Sequence, residues 1–154
     1  MPAHVEIERR LRLLPQTNCF VETLSDAQFS FYVRAVTDTY SLRDRQQQSG
    51  FSPEYLVERH NISPLDQGDV RRLFLALTRH ADGIVVVLWA NDHTAARMKY
   101  SCFSEHYDDL WYPASDDVWV VESSLQWLIE VDHEEIISYY RRAKHGLVEP
   151  APID

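Results

Sequence analysis

The fold is decided by residues 84–89, Ile-Val-Val-Val-Leu-Trp, which with Ala90 form the longest uninterrupted apolar run of the chain. The run is far shorter than the ~20 apolar residues that a membrane-spanning helix needs. An apolar run without polar alternation is typical of a strand inside a sheet that is covered on both faces. We therefore expect residues 84–89 to form a central β-strand and no segment to cross a membrane.

The chain before this strand carries helical signals. Apolar residues recur at near-helical spacing between Val5 and Leu14, and Pro15 ends the pattern. Ser25 and Gln28 have the spacing of a capping box, which predicts a second helix beginning there. Two or more helices should therefore precede the sheet.

Two Ser-Pro dipeptides follow, at residues 52–53 and 63–64, after a polar connection over 42–50. A serine before a proline is a frequent start of a helix, because the hydroxyl caps it and the proline fits its first turn. Each dipeptide therefore predicts a helix, and the second one carries an apolar stripe from Val70 to Leu77.

The chain after residue 89 carries mainly strand signals. Residues 91–93, Asn-Asp-His, indicate a turn, and residues 96–103 are predicted to form the next strand. Residues 118–122 and 125–131 are two further strand-like runs separated by Ser123 and Ser124, which predicts a hairpin. Asp132 and Glu135 have capping-box spacing, so a closing helix is expected from there to near Gly146.

These elements predict an α+β fold rather than an alternating doubly wound one. We expect N-terminal helices packed on an antiparallel β-sheet of about four strands, with a C-terminal helix. Residues 1–146 should form a single α+β domain, since 154 residues is the usual size of one domain. Residues 147–154 contain two prolines and little to bury, so they are expected to be a flexible C-terminal tail.

Charge is distributed unevenly along the chain. The segment between Lys99 and Arg141 contains no lysine or arginine, although the chain has 15 such residues, and the net charge of −9 arises in this segment. Such a concentration of negative charge can attract a basic partner and accelerate its association. The acidic residues of this segment are Glu105, Asp108, Asp109, Asp116, Asp117, Glu122, Glu130, Asp132, Glu134 and Glu135.

Aromatic residues lie beside two acidic pairs in this segment. Aromatic side chains are enriched at the centres of protein interfaces, and neighbouring acids would select a lysine- or arginine-rich partner. The alternative is that the tryptophans pack in the core while the paired acids start and stop strands, and that the acidic segment as a whole solubilises the exposed face of the sheet and caps the last helix. The predicted partner-binding residues are Asp108, Asp109, Trp111, Tyr112, Asp116, Asp117 and Trp119.

Residues of the same segment suggest three arrangements that could carry chemistry. Carboxylates of residues 105–135 could hold a divalent metal in a small enzyme, although no calcium-loop pattern is present. Residues 132–135, Asp-His-Glu-Glu, lack the second histidine of the helical zinc motif, because position 137 is Ile137. Cys102 and His106 would meet on a helix but not in the expected strand. No cofactor is expected, since the four glycines form no phosphate-binding loop.

Composition limits the partners and the compartment. A sequence pI near 5.2 argues against direct nucleic-acid binding. The acidic N-terminus lacks the pattern of a signal peptide, so the chain is expected in the cytoplasm. Cys19 and Cys102 are therefore expected to be reduced thiols, because a chain of this size builds its own core without disulfides.

The plan of a small, acidic, cysteine-poor α+β protein resembles the class of bacterial immunity and inhibitor proteins, of which the barstar type is an acidic example. The resemblance rests on size and charge, and it assigns a role to no residue. It implies a non-enzymatic acidic protein-binding module that docks a basic partner such as a nuclease toxin. A small metal-dependent enzyme and a homo-oligomeric structural protein, a homodimer for instance, are the alternatives.

Overall fold

The computed structural model describes residues 3–40, 51–79, 82–113 and 116–142. Within these ranges the chain forms five α-helices, seven β-strands and two short 3₁₀ turns at Pro53–Tyr55 and Ala90–Asp92. The helices are α1 (Ala3–Arg12), α2 (Gln16–Cys19), α3 (Asp26–Tyr40), α4 (Gln67–Leu77) and α5 (Tyr100–Leu110). The strands are β1 (Glu22–Thr23), β2 (Leu56–Asn61), β3 (Ile84–Trp89), β4 (Thr94–Lys99), β5 (Val118–Glu122), β6 (Trp127–Val131) and β7 (Ile136–Arg141).

The seven strands form one antiparallel sheet in the order β1-β4-β3-β5-β6-β7-β2. The α+β class is confirmed, and the sheet is larger than the four strands expected. Strand β3 lies inside the sheet between β4 and β5, and only Ile84 of its six residues is exposed. The apolar run from 84 to 89 is therefore the buried central strand that the sequence predicts.

Both faces of the sheet are covered by helices, which explains why β3 shows no polar alternation. Val85, Val87 and Trp89 pack into a core shared with residues of α1, α4 and α5. Val86 and Leu88 point to the other face and pack into a core formed with α3. Alternate side chains of each strand point to opposite faces, so a strand between two helical layers must be apolar throughout.

The hairpin predicted for the acidic segment is confirmed. Strand β5 pairs with β6 from Val118 opposite Val131 to Val121 opposite Leu128. The turn between them places Leu125 at φ 61°, where its backbone is left-handed. The capping box of α3 is also present. The backbone N–H of Gln28 donates to the Ser25 hydroxyl at 3.2 Å, and the backbone N–H of Ser25 donates to the side-chain oxygen of Gln28 at 2.8 Å.

The prediction of a C-terminal helix is wrong, because residues 136–141 form strand β7. Ile137 and Tyr139 face one core while Tyr140 faces the other, so this strand is apolar on both sides and its spacing imitates a helix. Asp132 does act as a cap, but for a turn. Its carboxylate accepts hydrogen bonds from the amides of Glu134 at 2.8 Å and Ile136 at 3.1 Å within the β6–β7 hairpin.

The two Ser-Pro dipeptides do not open the predicted helices. Residues 53–55 make a single 3₁₀ turn before β2, and the helix expected after Pro64 begins only at α4. Asp66 is the residue that caps α4, since its carboxylate accepts the Asp69 amide at 2.8 Å. The start of α4 is therefore set by the aspartate that caps its first-turn amides and not by the Ser-Pro dipeptide.

The strand predicted over residues 96–103 ends at Lys99, and α5 begins at Tyr100. Cys102 therefore lies on a helix. Its sulfur is joined to that of Cys19 in a disulfide, so the expectation of reduced thiols is wrong for this structure. The bridge ties the short helix α2 to α5, and both cysteines are buried.

Three predictions concern residues outside the described ranges: the polar connection over 42–50, the end near Gly146, and the flexible tail over 147–154. Among the helices that the structure describes, none is long and apolar enough to cross a membrane.

Candidate functional site

The loop before β5 and the turn between β6 and β7 carry much of the acidic segment, and antiparallel pairing places both at one end of the sheet. Strand register places Val118, Val131 and Ile137 side by side, and Trp89 opposite Thr94 at the same end. We call this end the acidic end and define it as residues 90–93, 108–113, 116–117 and 132–135. Its acids include Asp92, Asp108, Asp109, Asp117, Glu134 and Glu135.

The opposite end of the sheet, which we call the basic end, holds the basic residues that bound the acidic segment in the sequence. Lys99 pairs with Ile84 at the end of β4, and Arg141 pairs with Trp127 at the end of β7, followed by Arg142. Asp82 and Glu122 lie beside them, and Asp38 and Glu54 lie towards the same end, so this end has both signs of charge. The two basic residues that bound the acidic segment in the sequence therefore lie at the far end of the molecule from most of its acids.

Asp117 forms the centre of a hydrogen-bonded network at the acidic end. Its Oδ1 accepts the His133 backbone amide at 2.8 Å and lies 2.9 Å from the Nδ1 of the same residue. The amide of Asn91 donates to Oδ2 at 3.2 Å. The hydrogen bond to Asp117, aided by its negative charge, raises the pKa of the His133 imidazole. Three loops are thereby joined at this end.

Glu130 is buried behind this network on strand β6, where it is only 7% exposed. Burial, together with the negative charges of Asp132 and Asp117, raises the pKa of its carboxyl from an ordinary 4.5 to about 7. A hydrogen bond from Trp119 opposes this effect by stabilising the ionised form. Burial also raises the pKa of Asp132, against the two backbone hydrogen bonds that it accepts.

Asp116 is buried and has a structural role. Its Oδ2 lies 3.1 Å from Nη1 of Arg10 on α1, and both side chains are buried. The same oxygen accepts the Tyr112 amide at 2.9 Å, while the Arg10 guanidinium lies 3.8 Å from the centre of the Tyr112 ring. Its carboxylate is thus compensated inside the protein, and we remove Asp116 from the predicted partner-binding residues.

The two tryptophans of the predicted site are also core residues. Trp111 is 4% exposed and donates its indole N–H to the carbonyl of Asp116 at 3.0 Å. Trp119 is 5% exposed and packs edge-on against Phe51. Neither ring can protrude as an interface anchor. Tyr112 does reach the surface, with 39% of its area exposed.

A cleft of about 260 Å³ opens at the acidic end, beside Asp108. Its floor is apolar and includes Ile62, Val70 and Trp111. Two carboxylates, Asp108 and Glu135, stand among its lining residues. Asp108 is 3.9 Å from the guanidinium of Arg71, at the loose limit of an ion pair.

The cleft combines features that suit a long cationic side chain. Lysine and arginine pack their aliphatic stems on apolar surface while the charged head meets carboxylates. Pockets for drug-sized ligands measure roughly 300–1,000 Å³, so this cleft is better matched to one side chain of a protein. Sequence patterns could not have revealed it, because Glu135 is far from Ile62 and Val70 in the chain.

A second groove, of about 280 Å³, lies on the other side of the acidic end between α3 and the turn before β4. Trp119 forms part of its wall, with Phe29, Asn91 and His93. Asp109 belongs to neither space and lines a smaller cavity of about 120 Å³ with His106 and Tyr112. The predicted residues are thus at one end of the molecule but divided among different surfaces.

The carboxylates of residues 105–135 do not assemble a metal site in the part of the chain that the structure describes. The one group of three histidine, cysteine or acidic residues there whose ligand atoms lie within 4.8 Å of one another is Cys19, Cys102 and His106. A hard cation needs several oxygen ligands at short distance. The geometry therefore gives no support to a small metal-dependent enzyme that uses these carboxylates.

Comparison with known proteins gives no further information: no protein-family model, no curated protein and no solved structure matches this chain.

Proposed function

We propose that this chain is a non-enzymatic binding protein of the immunity or inhibitor type that docks a basic protein, such as a nuclease toxin, through its acidic end. The observation that carries the proposal is the separation of charge between the two ends of the sheet. Acidic loops stand at one end, while Lys99, Arg141 and Arg142 stand at the other. A protein with such a dipole orients a charged partner before contact.

The cleft at the acidic end supports the proposal at the level of contacts. Its apolar floor and its two carboxylates, Asp108 and Glu135, are complementary to a lysine or arginine of the partner. Exposed Glu134 and partly exposed Asp117 lie next to Glu135 in the same group of loops. An inhibitor of this design would cover the cationic substrate site of a nuclease with carboxylates in place of phosphates.

The main experiment compares two fourfold variants of equal net charge. The first is Asp108→Asn/Asp109→Asn/Glu134→Gln/Glu135→Gln at the acidic end. The matched control is Asp38→Asn/Glu54→Gln/Asp82→Asn/Glu122→Gln, which lie towards or at the opposite end. Asp116 and Asp117 stay unchanged because they hold the loops together. Any difference between the two variants then reports the position of the charge rather than its amount.

The partner is captured from the source cells on the wild-type chain, purified, and mixed with each variant by stopped flow at low and high salt. We expect the acidic-end variant to associate about tenfold more slowly or worse at low salt, and the control to resemble wild type. The difference should vanish at high salt. Equal on-rates for both variants, or a captured partner that is not basic, would contradict the proposal.

The cleft itself can be tested with N-acetyl-arginine amide followed by two-dimensional NMR. We expect shifts at the Trp111 indole and at residues around Glu135, and a several-fold weaker response in Glu135→Gln. N-acetyl-norleucine amide, which has the stem without the charge, is the control ligand. Shifts that are spread over the surface, or equal for both ligands, would assign no role to the cleft.

The same separation of charge favours a second candidate, a homo-oligomer in which the acidic end of one copy meets the basic end of the next. Contacts of this kind are heterologous and lead to rings or filaments. Light scattering distinguishes the two proposals. A mass above that of one chain at low salt, lost at high salt and in the acidic-end variant, would favour self-association.

A further inference from the structure

Three residues that the sequence separates meet at the junction of α2 and α5. Cys102 and His106 lie four residues apart on α5, and their ligand atoms are close although the helix is kinked at His106 (φ −115°, ψ 20°). Cys19 is the last residue of α2 and approaches them from a distance of 83 residues in the chain. The ligand atoms of the three side chains lie within 4.8 Å of one another, with the two sulfurs bonded to each other.

We propose that, once this disulfide is reduced, Cys19, Cys102 and His106 bind one thiophilic divalent cation, with zinc the ion that fits best. Zinc binds thiolate sulfur at about 2.3 Å and imidazole nitrogen at about 2.0–2.1 Å. Donors around one zinc ion are therefore spaced by roughly 3.5–4 Å. The imidazole needs to move little to meet this spacing, and the sulfurs separate when their bond is broken.

The exchange between the two forms balances in electrons and protons. A dithiol reductant delivers two electrons and two protons to the Cys19–Cys102 bond, and it becomes a disulfide itself. The cation then displaces the two thiol protons and binds both thiolates and the neutral imidazole. The disulfide is thus the metal-free, oxidised form of the site.

Burial and charge favour a dication at this place. Cys19 is 3% exposed and Cys102 is 5% exposed, so two unpaired thiolates would carry a high desolvation cost there. Two thiolates, one neutral imidazole and one dication form a site without net charge. None of the three proposed ligands is a carboxylate of the acidic end, although Asp109 lines the same cavity as His106, and the inference is independent of the proposed function.

His106 connects this cluster to the surface. It is partly exposed and lines the 120 Å³ cavity, which a water molecule can enter to complete a fourth coordination position. Arg9 and Arg10 also line that cavity, but Glu6 and Asp116 lie within ion-pair distance of them. A three-ligand site with an open position is a known arrangement for zinc.

Cobalt(II) is the probe, because its thiolate complexes absorb in the near ultraviolet. The full-length chain is reduced with a phosphine, titrated with Co²⁺, and then back-titrated with Zn²⁺. We expect one Co²⁺ per chain with a thiolate charge-transfer band that zinc abolishes. The oxidised wild-type chain, which needs no substitution, should show no band.

Ligand variants test the assignment, and circular dichroism checks that each is folded. Cys19→Ser should lose the band, and His106→Ala should weaken binding by about tenfold or more. His133→Ala is the control for loss of an exposed histidine elsewhere. A reduced wild-type chain without a thiolate–cobalt band overturns the proposal, as does binding that His106→Ala and Cys19→Ser leave unchanged.

Discussion

The two ends of the sheet differ in the way each handles charge. At the basic end, Lys99, Arg141 and Arg142 lie at or just after the ends of two inner strands, beside Asp82 and Glu122. At the acidic end, carboxylates come from several loops, and some of them are buried, as Asp116, Glu130 and Asp132 are. The basic end thus shows its charge to solvent, whereas the acidic end has moved part of its charge into the protein.

The formal charge of the acidic end is therefore larger than the charge that contributes to its field in solvent. Asp116 and Asp117 are neighbours in the sequence, yet the first is compensated by buried Arg10 and the second holds exposed His133. Glu130, with a pKa of about 7, is only partly ionised at neutral pH. The field at the acidic end therefore comes mainly from Asp108, Asp109, Asp117, Glu134 and Glu135.

The largest effect is expected from Asp116→Asn, which removes the compensating charge and keeps the shape. Breaking a buried ion pair on one side costs about 3–5 kcal/mol, because the other charge stays buried. Glu6, 3.9 Å from Arg10 Nε, should hold the loss near the lower value. Urea unfolding measures it. Asp109→Asn, on an exposed neighbour, is the control, and equal midpoints for the two variants would show that the pair contributes nothing.

A double variant sharpens this prediction. Arg10→Met/Asp116→Leu removes both charges and fills their space with apolar atoms, which in buried pairs is often neutral or stabilising. We expect it to recover most of the stability that Asp116→Asn loses. A double variant as unstable as the single one would mean that packing around the pair, rather than charge, is decisive.

Glu130→Gln should give the next largest effect, and it should depend on pH. Wild-type Glu130 ionises near 4.5 when unfolded and near 7 when folded, so the native state binds more protons in between. Stability of the wild type therefore falls as pH rises through this window. The variant avoids this loss and should be more stable above pH 7 by on the order of 3 kcal/mol, at about 1.4 kcal/mol per tenfold change in protonation.

The measurement is the free energy of unfolding of both proteins at a series of values from about pH 4 to about pH 8. Glu122→Gln on the same hairpin serves as the control for the amide substitution itself. Parallel curves for wild type and Glu130→Gln over the whole range would show that Glu130 is not buried in its uncharged form.

The smallest effect concerns Asp117→Asn. The hydrogen bond to Asp117 raises the pKa of His133 above its ordinary 6.5, so the variant should lower it. A histidine with a raised pKa stabilises the fold below its unfolded value and loses that contribution as pH rises through the folded value. Because His133 is exposed, this pH-dependent contribution to stability should be small. NMR titration of the imidazole tests this, and an unchanged pKa would place the raising charge elsewhere.

Sequence reasoning succeeded where one physical signal dominated. The apolar run at 84–89 predicted a central strand, and Ser25 with Gln28 predicted the start of α3. It failed at Ile136–Arg141, because a strand between two helical layers has no alternation and its spacing can match a helix. The neighbouring strands determine the secondary structure of such a segment, and a single sequence does not show which strands pair.

The candidate site was predictable only in part. The acidic segment could be located from composition, but the burial of Asp116 depends on Arg10, which is 106 residues away. Burial of Trp111 and Trp119 likewise depends on the sheet that covers them. Cys102 and His106 come close on a helix, but the sequence predicted a strand there. This one error in local structure concealed their cluster with Cys19.

The position of β2 sets a condition on how the protein is made. Residues 56–61 leave the ribosome early, yet their partner in the sheet is β7, at residues 136–141. This edge strand must wait, unpaired, until most of the chain has been synthesised. Long-range pairing of this kind slows folding and leaves incomplete chains open to aggregation. A chain that ends before residue 136 therefore lacks the only strand that pairs with β2 in the described sheet.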